Sequence, residues 1–410
     1  MAGPLDGVRV LDLTTMISGP LATMLLADQG AEVIKIENTK GGDLTRLVST
    51  ARNGLAASYL NNNRNKKSLV LDLKDPRGLE AFRALAKTAD VLVQNFRPGV
   101  MERLGIGPED LHALAPGLIY VSISGFGATG PYAKKPVYDP LVQAVSGLAS
   151  VQGGSDTARP RLVRTIVPDK LSGYVCAQAV TAALVARYRS GEGQTITLNM
   201  LDAVLAFLWQ SDMGGRTFVG DEIETEKAQS FIDLIYETQD GYISVAVNSD
   251  KEWRGLCAAF DKPEWLEDPR FRTAKLRHAN IDARLEATQE VLRHDTSAHW
   301  LARLEAHDVG CAAVLTRAEV IDHPQVKANG TVIEYDHPIA GRLRQTRQAA
   351  VFSGTPNAAP AGAPLYGAHS IAILREAGIG EAEIRAMIEA GTLVAAESDA
   401  DKRAPRKAAS

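Results

Sequence analysis

An α/β fold on a parallel sheet is what this sequence predicts, and three observations predict it. Two strand–helix–strand runs follow one another in the first hundred residues. Strand, helix, strand in that order implies a parallel sheet with right-handed crossovers. Residues 230–325 then change character, to a hairpin followed by strongly helical stretches, which marks a second, smaller α+β domain. A chain of 410 residues, 45% of them hydrophobic, has room for both.

The elements follow in order. GVRVLDLT (7–14) is a short β-branched run, a buried strand by its length and flanks. Thr14–Ser18 is the loop leaving it. PLATMLLADQG (20–30) is a helix, with Pro20 near its first turn and Gly30 as its stop. AEVIKIE (31–37) is the second strand. SLVLDL, the amphipathic DPRGLEAFRALAKTA and VLVQNF repeat the pattern over residues 68–96, and GVMERLG adds a short helix. LIYVSISG (118–125) is a further strand, and TITLNMLDAVLAFLWQ is a strand followed by an apolar helix. Residues 206–229 are expected to form a linker. In the small domain, ETQDGYISVAV is hairpin-like around Asp240-Gly241, followed by EWRGLCAAF, ARLEATQEVLRH and SAHWLARLEAHD. Residues 326–395 return to complete the large domain begun by 1–205, and 396–410 form a polar, disordered tail.

Composition excludes several classes. A formal net charge of -4 argues against general nucleic-acid binding. Cys176, Cys257 and Cys311 lie far apart without CxxC pairing, which fits a reducing compartment and no zinc site. The spacing of His278, His294, His299 and His307 makes no ligand set, so no metal is expected. MAGPLDGVRVLDLT has no signal pattern, and no stretch approaches about eighteen consecutive apolar residues. The expectation is a soluble, cytoplasmic protein without a membrane partner. Gly125, Gly127 and Gly130 make a GxGxxG after a strand, but Pro131 and a Lys/Pro-rich stretch follow instead of a helix. Without a helix N-terminus the pyrophosphate mechanism fails, so neither nicotinamide nor flavin is expected.

Ligands of parallel sheets sit at the carboxyl ends of the strands, which makes Thr14–Ser18 a candidate site. Arg64, Lys66, Lys67, Lys74, Arg97 and Arg103 fall near strand ends. Singly each reads as solvated surface; together they could neutralise a multiply phosphorylated ligand. In VPDKLSGYVCAQAVTAALVAR (167–187), small and apolar residues make a helix that could pack closely on several sides. Asp169 stands where it begins, and on local grounds alone is an N-cap aspartate whose charged form the helix end favours.

Six blocks in register carry a resemblance: NRNKKSLVLDLK, NFRPGVMERLG, LIYVSISGFGATGPYAKKPVYDPLVQAVSG, DKLSGYVCAQAVTAALVARYRSGEGQ, VIDHPQVKANG and YGAHSIAILREAGIGEAEI. Over about residues 5–395 the chain resembles the class III CoA-transferases of CaiB/BaiF type. These include formyl-CoA transferase, the carnitine CoA-transferase group and α-methylacyl-CoA racemase. The resemblance implies a Rossmann-like large domain that binds acyl-CoA at the sheet's carboxyl edge, coenzyme A as the carrier, and an interlocked homodimer. It aligns Asp169 with the catalytic aspartate. CoA contacts would fall on Thr15, Met16, Ile17, Leu71, Lys74, Asn95, Phe96, Arg103 and Leu104. Phe96 is either an adenine platform or core. A lysine expected just ahead of Tyr138 is replaced by Pro136, with Lys135 one place earlier.

The implied reaction transfers CoA from an acyl-CoA to a free carboxylic acid through covalent aspartyl intermediates. Backbone donors for the oxyanions are sought in the Gly125–Gly130 loop and near Gly173. The racemase branch pairs a histidine with the aspartate; here that position is Tyr138, and no histidine lies between His112 and His278. A phenol is a poor general base at neutral pH, so transfer is favoured over racemisation or isomerisation. A non-catalytic CoA-binding relative is the third reading. Formyl-CoA transferases carry glutamine where this chain has Ile17, which suggests a larger or more apolar acid pair.

Overall fold

The first predicted strand, β1 (Arg9–Asp12), becomes the centre of a seven-stranded sheet. The computed structural model describes residues 3–220 and 234–396. In chain order the other strands are β2 (Glu32–Glu37), β3 (Lys66–Leu71), β4 (Val91–Gln94), β5 (Ile119–Ser124), β6 (Gln194–Asn199) and β7 (Leu393–Val394). Their spatial order is β7-β3-β2-β1-β4-β5-β6. All neighbours pair in parallel except β7, which runs antiparallel on β3 with Leu393 opposite Leu71. The order reverses at β1, which sits between β2 and β4. The loops after β1 and β4 therefore depart toward opposite faces and open a crevice between them.

Both faces are covered, as continuous apolar strands require. Successive residues feed opposite layers. Leu11, Ile34, Leu69, Leu92 and Tyr120 face a core that holds Phe82 and Leu85 of α2 (Pro76–Ala86). Val10, Val33, Val91, Val93 and Val121 face a core built with α1 (Ser18–Asp28). Two further helices, α3 (Asp139–Val145) and the long α4 (Val167–Ser190), come before β6; α5 (Met200–Trp209) follows it. All eleven residues of α1 are buried, because it lies between the sheet and α4. The α4 residues Ser172, Gly173, Cys176, Ala177, Val180 and Ala183 are buried at helical spacing, while Tyr174, Val185 and Tyr188 on the same helix are exposed. Besides this stripe, Val167 and Leu171 at the start of α4 pack with Val142 of α3 and with Val204 and Leu208 of α5, so α4 packs on more than one side.

The chain divides into two compact units, Met1–Ala228 with Thr331–Ser410, and Gln229–Gly330. The second holds a three-stranded antiparallel sheet, Ile235–Glu237, Tyr242–Ala246 and Gly310–Ala313, with the predicted hairpin turning at Asp240-Gly241. Its core packs Trp253, Phe260, Phe271 and Trp300. Because α5 runs to Trp209, the linker expected from 206 starts inside a helix; its residues 221–229 lie outside those described. Of the expected tail, only Ala396 is described. The return segment adds a hairpin, Val332–His337 with Gly341–Thr346, then α6 (Ser370–Glu376), α7 (Glu381–Glu389) and β7. No helix among the described residues is long and apolar enough to cross a membrane.

Helices α1 and α4 touch where a side chain is missing. A methyl group on Gly173 would stand 2.9 Å from the Ser18 carbonyl oxygen and 3.0 Å from Leu21. Gly173→Ala therefore has to push α4 away from α1, and overpacking of this kind costs about 1–3 kcal/mol. Denaturant unfolding is expected to show that loss; a variant as stable as the parent would mean the two helices are free to separate.

Candidate active site

The loop after β1 is assembled from buried polar groups. Asp12 accepts from the Thr14 amide (2.9 Å) and from Thr23 Oγ1 (2.7 Å). Lys35 Nζ donates to the Thr14 carbonyl at 2.9 Å. Asn95, arriving from β4, accepts from the Thr15 amide at 2.9 Å and donates to the Thr15 carbonyl at 2.8 Å. Met16 has φ +69°, a left-handed conformation that a non-glycine residue rarely adopts, and its amide donates to Asp43 Oδ1. Ile17, at the N-cap of α1, offers no capping side chain.

Asp169 fills that place from α4. It is the third residue of its helix, not the N-cap, which is Ile166. The Ser18 amide and hydroxyl at the head of α1 favour its charged form. Burial opposes them, and the charge of Asp139 adds to burial, so the Asp169 carboxyl is pushed up to about 6. The helix end was expected to make the charged form easier; here desolvation and a like charge win. Asp139 is buried and accepts from the Asp169 amide (3.2 Å) and from Gln143 Nε2 (2.6 Å). Burial raises its own pKa as well. Gln143 Oε1 in turn accepts from the Val163 amide at 2.9 Å, tying down the segment that leads into α4. Ser18 lies in the Thr14–Ser18 loop expected as a site, whereas Asp139 carried no sequence signal beyond adjacency to Tyr138.

The expected contact residues distribute unevenly. Thr15, Met16, Ile17 and Asn95 meet in one loop cluster next to Ser18 and hence Asp169. Leu71 is 1% exposed in the core, so only its backbone could meet a ligand. Phe96 and Leu104 are partly buried against the same core. Lys74 and Arg103 are exposed on the segments after β3 and β4, and Arg97 with them. Lys135 is exposed with Nζ over the Tyr132 ring at 4.0 Å, and Tyr138 is 69% exposed at the N-cap of α3.

Three basic residues read as phosphate partners are consumed elsewhere. Arg64 pairs with Asp28, Lys66 Nζ reaches Asp12 Oδ2 at 2.9 Å, and Lys67 pairs with Glu32. Gly173 lies inside α4 and serves close packing, so the donor beside Asp169 is Ser18. A cavity of about 330 Å³ lies apart from all of these, lined by Arg46, Leu55, Tyr59, Ile339, Leu365 and Tyr366 among others. None of the expected contact residues lines it.

A family model described as CoA-transferase family III matches residues 5–370. The chain is 34% identical over 380 residues to human succinyl-CoA:glutarate CoA-transferase, covering 91% of this chain and 86% of that protein. It is 35% identical over 383 residues to succinate--glutarate CoA-transferase of Agrobacterium fabrum, covering 91% and 95%. The fold matches the crystal structure of a CAIB/BAIF family protein from Brucella suis with TM-score 0.80 and 30% identity, over 92% of this chain and 100% of that one.

Asp139→Asn removes the like charge but not the burial, so Asp169 should titrate below its present value of about 6. Carboxyl-¹³C NMR of aspartate-labelled protein, assigned by difference against Asp169→Asn, reads this directly. An unmoved midpoint would mean that the Asp139 charge does not reach Asp169.

Proposed function

Since the chain belongs to CoA-transferase family III, we propose that it moves CoA from an acyl-CoA thioester to a free acid with Asp169 as transient acyl carrier. The observation that carries this reading is the Asp169 carboxyl itself. It is partly buried, beside amide and hydroxyl donors, with its pKa raised to about 6. Above that pH it is charged, and a carboxylate relieved of water is the stronger nucleophile.

Its oxygen attacks the thioester carbonyl, the C–S bond breaks, and CoA leaves as thiolate from a mixed anhydride. The thiolate attacks the aspartyl carbonyl, expelling the donor carboxylate and leaving an aspartyl-CoA thioester. An acceptor carboxylate attacks that thioester carbonyl, expelling CoA thiolate and forming a second mixed anhydride; the thiolate then attacks the acceptor's carbonyl, and the Asp169 carboxylate leaves. No proton is gained or lost overall. Ser18 supplies donors where the oxyanions form. The exposed Lys74, Arg97 and Arg103 suit the CoA phosphates. The exposed Tyr138 gives racemisation no second base.

Two relatives are named for succinyl-CoA with glutarate and for succinate with glutarate, and others for oxalate; the first two support an acid pair larger than formate and oxalate. Apolar Ile17 cannot itself orient so small and polar an acid. Exposed apolar side chains on α4 and α5, with Tyr188 93% exposed and Phe207 51%, support an interlocked homodimer that would cover them. Three free cysteines fit a cytoplasmic location.

Incubation with a panel of acyl-CoAs, hydroxylamine trapping and peptide mass analysis should give a hydroxamate at Asp169, with succinyl-CoA among the reactive donors. Asp169→Asn should lower turnover by on the order of a thousandfold or more. Transfer confined to formyl-CoA and oxalate would overturn the substrate assignment. Solvent deuterium exchange at the acyl α-carbon without any acceptor acid would point to a racemase instead. Sedimentation at micromolar concentration should give a dimer; a monomer would remove the interlocked assembly.

A further inference from the structure

Two buried ion pairs lie under the loop that carries Ser18. Lys35 Nζ stands 2.9 Å from Asp43 Oδ2, and Lys66 Nζ stands 2.9 Å from Asp12 Oδ2. All four side chains are 0% exposed. Despite burial, which works against both, Asp12 is held down at about 2 by Lys66 and Lys35, and Lys35 is held up by Asp12 and Asp43. These charges do not merely neutralise one another. Lys35 Nζ also donates to the Thr14 carbonyl, while it meets Asp43 Oδ2 at ion-pair distance. Asp43 Oδ1 takes the amides of Met16 and Thr45. Asp12 takes the amide of Thr14, and Lys66 donates to the Pro20 carbonyl in the first turn of α1.

The grips alternate along the chain: Thr14 amide and carbonyl, Met16 amide, Pro20 carbonyl. Between them sit Ile17 and Ser18. A left-handed Met16 would relax toward negative φ unless something held it. Hydrophobic side chains of equal volume would fill the same space with less desolvation, but they could not bond the backbone.

We propose that the Lys35–Asp43 and Asp12–Lys66 pairs position the head of α1, holding the Thr14–Met16 backbone so that the Ser18 donors face Asp169. The four residues are positioning residues, acting through the loop. This inference rests on the reading of Asp169 as the carrier.

The test uses the 410-residue chain and two variants. Asp43→Asn retains an acceptor for Met16 while removing the charge that Lys35 meets at 2.9 Å. Lys35→Met with Asp43→Leu removes both charges and every backbone bond they make. A misplacement of about 1 Å remote from the chemistry can lower rates by about a hundredfold. The double variant, folded by circular dichroism, should therefore lose about ten- to a hundredfold in kcat, with KM for acyl-CoA changed less than about threefold. Its acid limb should move upward, because Ser18 donors withdraw from Asp169; losing one charge of each sign would by itself leave the limb in place, and in Asp43→Asn the loss of a negative charge alone would move it downward. Asp43→Asn should show the same direction with a smaller rate loss.

A folded double variant with parental kcat and acid limb overturns the proposal and leaves the pairs a role in stability only. A limb that moves downward overturns it too, assigning the effect to electrostatics. Failure of the double variant to fold leaves Asp43→Asn as the decisive arm, with the same two readouts. Absence of a hydroxamate at Asp169 in the parental protein is a separate result: it removes the carrier and, with it, this role.

Discussion

The close contact between the head of α1 and the first turns of α4 is the constraint on which the site depends. It brings a carboxylate from one helix to the unsatisfied amides of another, where a helix end attracts negative charge. The same contact strips that carboxylate of water. Burial and Asp139 raise its pKa; the Ser18 donors lower it, and the raising effects prevail. The balance depends on the absent side chain at Gly173, since any displacement of α4 moves Asp169 relative to Ser18.

Sheet topology supplies the rest of the placement. With β1 between β2 and β4, the segments after β1 and β4 emerge side by side at the carboxyl edge, and Asn95 joins them through both backbone groups of Thr15. A parallel sheet covered on both faces leaves that edge as its natural ligand surface. The basic residues left exposed near it, Lys74, Arg97 and Arg103, follow the ends of β3 and β4, which β2 and β1 separate in the sheet. Those tied up in ion pairs, Arg64 and Lys66, belong to the interior instead.

The large elements were legible because their apolar patterns are local. β1 to β6, α1, α2, α4 and the small unit's hairpin lie where hydrophobic runs and turn residues put them. β7 was not legible: two residues form a strand only because the return segment brings them beside β3. The charged residues were misread for a related reason. Lys66 and Arg64 sit in a run of polar residues that reads as surface, yet their partners, Asp12 and Asp28, lie 54 and 36 positions away in the chain. A buried charge announces itself only when the partner is known. Asp169 stood out through resemblance, but neither the direction of its pKa nor the nearness of Asp139 can be read from spacing, because both depend on how α3 packs beside α4.

Asp139 resolves an apparent contradiction in that geometry. A fold seeking an easily ionised carboxylate would not put a second acid behind it. A nucleophile benefits from the opposite arrangement: the higher its pKa while it remains charged at neutral pH, the more basic its oxygen and the greater its gain from bonding to carbon. In the proposed transfer Asp139 would provide that increment without competing for the acyl group, because its own oxygens are committed to the Asp169 amide and to Gln143. Two carboxyls thus divide the work by environment. One is fixed by hydrogen bonds as a source of field and an anchor for the helix start. The other is left with weaker donors and partial exposure, and so free to bond elsewhere.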